Sequence, residues 1–156
     1  MKAGEDWLRE YKKKHPDRVN DVFDESEPEN LIKAVRWEFD VLVPTYNETL
    51  RLFKHRPADY YSKIRRWQGR FFAVARVEYG PGANFDIPVR VHMIRRTTGK
   101  VDVDGLYGSF KIPLDALVRS GLLPDDNPDV IRTISAESKK VTSDEKGTTF
   151  IINSVE

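Results

Sequence analysis

Aspartates at 102, 104, 125 and 126 and a lysine at 111 stand within one short stretch, KVDVDGLYGSFKIPLDALVRSGLLPDD, from Lys100 to Asp126. Residues two apart on a strand point to the same face, so Asp102 and Asp104 are expected to converge on one point. If a helix follows and folds back on that strand, Asp125 or Asp126 joins them. Three carboxylates around one point make a site for a hard, oxygen-preferring cation, Mg²⁺ or Mn²⁺. The residue types therefore point to metal-assisted phosphoryl chemistry. Each part is weak alone: Asp-x-Asp occurs at strand ends, Pro-Asp-Asp-Asn-Pro is ordinary turn chemistry, and a lone helical lysine is a solvated one. The joint arrangement is more specific than its parts.

The elements that must position these residues read as a mixed α+β domain. Val35, Trp37, Phe39, Val41 and Val43 alternate with Arg36, Glu38, Asp40 and Leu42, which predicts a strand ended by Pro44. The segment from Pro44 to Tyr60 is expected as a loop or short helical turn. Tyr61, Ile64, Trp67, Phe71 and Val74 have helical spacing, although FFAVARVEY is aromatic and β-branched enough to be a strand. PGAN is a turn, and Ile87, Val89, Val91 and Met93 predict a half-buried strand. VDVDG reads as a strand end arriving at the site. Ser109 is the expected N-cap of a helix over about 110–120, with Phe110, Leu114, Leu117 and Val118 as its buried stripe and Gly121 at its C-terminal end. VIRTIS and TTFIINSV are expected strands on either side of the turn DEKG.

Composition limits the choices. The chain has 156 residues, 39% hydrophobic and 33% charged, enough for one domain with a real core. Residues 1–34, with Trp7, Leu8 and Tyr11 at helical spacing and then the acidic run DESEPEN, are expected as an extension made of a short helix and a linker. Residues 35–156 form the expected domain. With no cysteine there is neither a disulfide framework nor a thiolate zinc site. No apolar run approaches the roughly 20 residues of a membrane span, and the first residues lack the apolar stretch of a signal peptide. A cytoplasmic setting is expected.

The net charge of +1 hides an asymmetry. Residues 35–100 carry 13 Lys or Arg against 6 Asp or Glu, whereas 101–156 carry 6 against 10. Basic charge beside an acidic cluster is what a protein needs to grip a polyanion near a bound cation. The plain alternative is a basic solvated surface on an ordinary α+β domain.

The stretch from 102 to 126 resembles the RusA-like Holliday-junction resolvases of bacteria and their phages. That family's pattern is Asp-x-Asp-Asn-Leu, a lysine, Leu-Asp-Ala-Leu, a glycine turn and Asp-Asp. It is matched by Asp102, Asp104, Leu106, Lys111, Leu114-Asp115-Ala116-Leu117, Gly121 and Asp125-Asp126. Arg95-Arg96 stands where basic residues precede the acidic strand, and Pro44–Leu50 is similar to the family's first loop. The likeness spans about 40–153 and is specific only from 102 to 126. Gly105 replaces the usual Asn, and about three extra residues within GLYGSF precede Lys111.

The resemblance implies a homodimeric, Mg²⁺-dependent endonuclease that cleaves four-way DNA junctions in recombination and repair, in a bacterial or phage-infected bacterial cell, with no nucleotide cofactor. It implies Asp102, Asp104 and Asp126 as metal ligands, Asp125 as fallback, Lys111 beside the scissile phosphate, and Asp115 as an orienting group. DNA contacts are expected from Asn47, Arg65, Arg66, Arg95, Arg96 and Lys100, joined by Arg51, Lys54, Lys63 and Arg70, mostly to phosphates. Tyr46, Phe53, Tyr60 and Trp67 are available to stack on an exposed base, although Trp67 reads better as core. His15, His55 and His92 lack metal-site spacing. The alternative from another class is a catalytically impaired DNA-binding protein on the same fold, the outcome if Gly105 and the insertion spoil the site.

Overall fold

The computed structural model describes residues 30–155. The short helix expected near Trp7 and most of the acidic linker lie outside the described residues. The described chain begins at Asn30, with a two-residue strand, β1 (Leu31–Ile32). Strand β2 (Ala34–Phe39) follows, and Val35 and Trp37 are buried as the alternation requires.

The segment expected as a loop or short helical turn contains a ten-residue helix, α1 (Tyr46–His55). The Thr45 hydroxyl accepts from the Glu48 backbone N–H at 3.4 Å, and Pro57, which begins α2, ends it. Helix α2 (Pro57–Tyr79) runs for 23 residues without breaking into a strand. Ile64, Trp67, Phe71 and Ala75 are buried along one stripe, so helical burial overrides the β-branched composition of its second half. Short β3 (Asn84–Phe85) pairs in parallel with β1, and the long β4 (Val89–Thr97) enters the main sheet.

After β4 the expected strand end is instead a six-residue helix, α3 (Val103–Gly108). The Asp102 carboxylate caps it by accepting from the Gly105 N–H at 2.7 Å. Helix α4 (Lys111–Arg119) begins at Phe110 rather than at Ser109, whose hydroxyl bonds back to the Leu106 carbonyl. Its most buried residues are Ile112, Pro113, Ala116 and Leu117, while Leu114 and Val118 are only partly covered. Gly121 ends it with φ +83°, a conformation that side-chain-bearing residues rarely adopt. Strand β5 (Ile131–Lys140) is longer than VIRTIS suggests, and β6 (Gly147–Ser154) closes the described chain.

The main sheet has the order β2-β6-β4-β5. Strand β6 is antiparallel to both β2 and β4, while β5 lies parallel to β4 at the edge. The two strands flanking DEKG are thus not neighbours; β4 separates them. The fold is α+β, with helices packed on one face of a mixed sheet. Trp37, Phe39, Trp67, Phe71 and Phe150 interlock between sheet and α2, with Phe71 and Phe150 centroids 5.2 Å apart. Trp67 is core, as expected. The Trp37 indole N–H donates to Glu78 at 2.9 Å, tying β2 to the end of α2. Among the described residues no helix is long and apolar enough to cross a membrane.

Candidate functional site

Helix α4 and the loop beyond it place Lys111, Asp115, Asp125 and Asp126 together. Lys111 and Asp115 are one helical turn apart, and Nζ donates to Oδ1 at 3.2 Å. The Tyr60 hydroxyl, from the first turns of α2, donates to the other oxygen of Asp115 at 3.5 Å. The turn at Gly121 sends the chain back, and the Asp126 N–H donates to the Asp125 carboxylate at 2.7 Å. Asn127 holds the second oxygen of Asp125 at 2.9 Å, which fixes the loop.

Burial, a hydrogen bond with Asp125, and the negative charges of Asp125 and Asp115 push the Asp126 carboxyl above its ordinary value, against the pull of Lys111. For Lys111, burial acts downward, but the hydrogen bond and charge of Asp115, helped by Tyr60 and Asp126, win and hold the ammonium charged. Burial and the adjacent Asp115 raise the Tyr60 phenol, so it stays a neutral donor.

Asp102 and Asp104 sit differently from the strand expectation. Both are exposed at the start of α3, Asp102 as its cap and Asp104 in its first turn. Asp102 has extended backbone as the cap and Asp104 helical backbone in the first turn, so the regular strand geometry that would align the two side chains is absent. Among the described residues no three Asp, Glu or His side chains are gathered as a metal-holding group. The donors at hand fit a hard cation in kind, being carboxylate oxygens. In number, the Asp125-Asp126 pair needs a further ligand.

The basic residues divide into two groups. Arg65 and Arg66 on α2, Lys100 before α3 and Asn47 on α1 are exposed. Arg95 is buried, donates to the Val43 carbonyl at 3.3 Å, and has its pKa pulled down by burial. Arg96 donates to the carbonyls of Phe39 at 2.9 Å and Glu145 at 2.7 Å. Arg95 and Arg96, expected as DNA contacts, are instead structural ties: the first is buried, and the guanidinium of the second is bonded to two backbone carbonyls. Arg70 lies over the Trp67 ring at 5.0 Å. His92 faces Ser135 at 2.7 Å across the β4–β5 pair.

Beside Lys111 opens a cleft of about 450 Å³, lined by Tyr46, Thr49, Leu50, Phe53, Tyr60, Tyr107 and Gly108. A Cβ on Gly108 would collide with the Cβ and ring of Tyr46, so glycine there allows α1 and α3 to approach. Thr49 and Tyr107 were not among the expected site residues. The helical spacing 46, 49, 50, 53 would have exposed this wall, had Thr45 and Glu48 been read as a capping pair.

Comparison with known proteins gives no matching family model and no matching curated protein.

Proposed function

We infer that this protein is a divalent-cation-dependent, structure-specific DNA endonuclease acting on branched DNA, with four-way junctions as the substrate. The observation that carries the reading is the Lys111–Asp115–Asp126 group. A charged lysine pairs with Asp115 one turn away, and the negative charges that raise the nearby Asp126 carboxyl are ones a hard cation would offset. The spacing of Asp102, Asp104, Lys111 and Asp125-Asp126 in the sequence supports the same reading.

In this proposal Asp126, with Asp102, Asp104 and the fallback Asp125, holds Mg²⁺, or Mn²⁺ in its place; their gathering on the ion belongs to the proposal. When bound, the ion supplies a water of lowered pKa and charge neutralisation at phosphorus. Lys111 faces the phosphate and stabilises its developing negative charge. Asp115 and Tyr60 position Lys111, one by the ion pair and the other by fixing Asp115. Arg65, Arg66, Lys100 and Asn47 contact phosphates away from the cut, so affinity falls steeply with salt. The protein works as a homodimer in the cytoplasm, one copy for each of two paired strands.

A second reading, a DNA-binding protein without cleavage, is favoured by one observation: Asp102 is engaged as a helix cap and does not face Asp104 across a strand. Incubation with a labelled four-way junction and Mg²⁺, linear duplex alongside, separates the two. Paired nicks in the junction alone support the nuclease. Tight binding without nicks in Mg²⁺ or Mn²⁺ supports the binder.

A further inference from the structure

We propose that the cleft between α1 and α3 receives an unstacked nucleobase from the DNA strand whose phosphate lies at Lys111, an inference that rests on the nuclease reading above. Its walls are rings: Tyr46 and Phe53 from α1, Tyr60 from α2 and Tyr107 from α3. Phe53 stands edge-on to Tyr60, with centroids 5.3 Å apart. Phe53, Tyr46 and Tyr107, at 56%, 45% and 39% exposure, are open to solvent, and all three line this one cleft. Its volume of about 450 Å³ falls within the range of about 300–1,000 Å³ of small-molecule sites. Aromatic platforms of this kind stack single-stranded bases, since every base has a π-face.

One further feature selects a base over a purely apolar occupant. Lys111 lines the same cleft, pairs with Asp115 at 3.2 Å and keeps its side chain 59% exposed, which suits a ring attached to a phosphate. An apolar peptide or lipid chain would cover the rings but bring no anion to that ammonium. Bases at a branch point have lost a stacking neighbour, so their removal from the stack is less costly there than in continuous duplex.

The test is equilibrium binding of the full chain to a four-way junction in Ca²⁺, with intact or abasic nucleotides at the branch. Wild-type protein should bind the abasic junction about tenfold more weakly, the scale of one base on one aromatic ring. Phe53→Ala, at a position 56% exposed, should bind both junctions equally and at the weaker level. Phe53→Trp should restore the difference. Equal wild-type affinity for both junctions, with nicking in Mg²⁺ intact, overturns the base site and leaves the nuclease reading standing. No binding to either junction overturns both.

Discussion

Lys111 and Asp115 face each other across one turn of α4, Nζ to Oδ1 at 3.2 Å, and the Tyr60 hydroxyl approaches the second oxygen of Asp115. The lysine side chain is 59% exposed and the aspartate 21%, so the pair holds its cation toward solvent from a partly covered base. Exposed pairs of this spacing contribute little to stability, about 0.5 kcal/mol or less. Lys111→Met should therefore leave thermal unfolding nearly unchanged while lowering junction cleavage about 100-fold or more, the scale of losing one charge-stabilising donor. Circular dichroism melting and single-turnover cleavage measure the two. A large loss of stability with cleavage intact would make the pair merely structural.

Asp126 gives the account a pH signature. Its folded pKa is raised above the ordinary 3.8, so the folded chain keeps that proton to higher pH than the unfolded chain does. The stability it contributes is present below 3.8 and is lost as pH rises through the raised value. At neutral pH without divalent cation, ionised Asp126 works against the fold. Asp126→Asn should then stabilise the cation-free protein by about 0.5 kcal/mol, a small figure because the side chain is exposed and screened by water. Mg²⁺ should raise the melting temperature of the wild type and do so less for the variant. Chemical denaturation at pH 3.5 and pH 7, with and without Mg²⁺, provides the check.

Two arginines should separate folding from DNA affinity. Arg95 is buried against Val43, and truncating it leaves a void and an unpaired carbonyl. Arg95→Ala should cost about 2–3 kcal/mol in urea unfolding. Arg66 is exposed on α2. Arg66→Ala should change stability by less than about 0.5 kcal/mol. It should also reduce the slope of log affinity against log salt by about 0.9, one phosphate contact.

Thr49→Val removes a hydroxyl that has no partner. Losing an unsatisfied buried group of nearly unchanged shape should stabilise the free protein by about 1 kcal/mol. Destabilisation in urea unfolding would mean the hydroxyl is paired after all.

The parts of the fold legible in the sequence were those with a clean period. Val35, Trp37 and Phe39 alternate in β2, and Val89, Val91 and Met93 in β4, because one face of each meets the helices. Helix α1 was hidden by its flanks: Pro44, His55, Arg56 and Pro57 look like a loop, and only the Thr45–Glu48 cap reveals a start. Strand order was illegible, since the placement of β4 between β5 and β6 depends on crossovers that no local period encodes. Within the site, the helix over about 110–120 and its glycine stop were legible, and they bring Asp126 near enough for its charge to act on Lys111. Asp102 and Asp104 were misplaced on a strand, because an aspartate two residues before a helix-favouring run reads equally as a cap. Arg95 and Arg96 looked available for DNA because sequence gives charge without burial.

In the proposed nuclease, Asp104 and the Asp126–Lys111 group serve one cation-dependent reaction. Single-turnover nicking of a four-way junction in Mg²⁺ by wild type, Asp104→Asn, Asp126→Asn and the double variant is the decisive test. Wild-type nicking should be confined to the junction and abolished by either substitution, with the double variant no worse than each single one, as for residues acting as a unit. Undiminished nicking by Asp104→Asn or Asp126→Asn, or no nicking by the wild type while it binds the junction tightly, would contradict it.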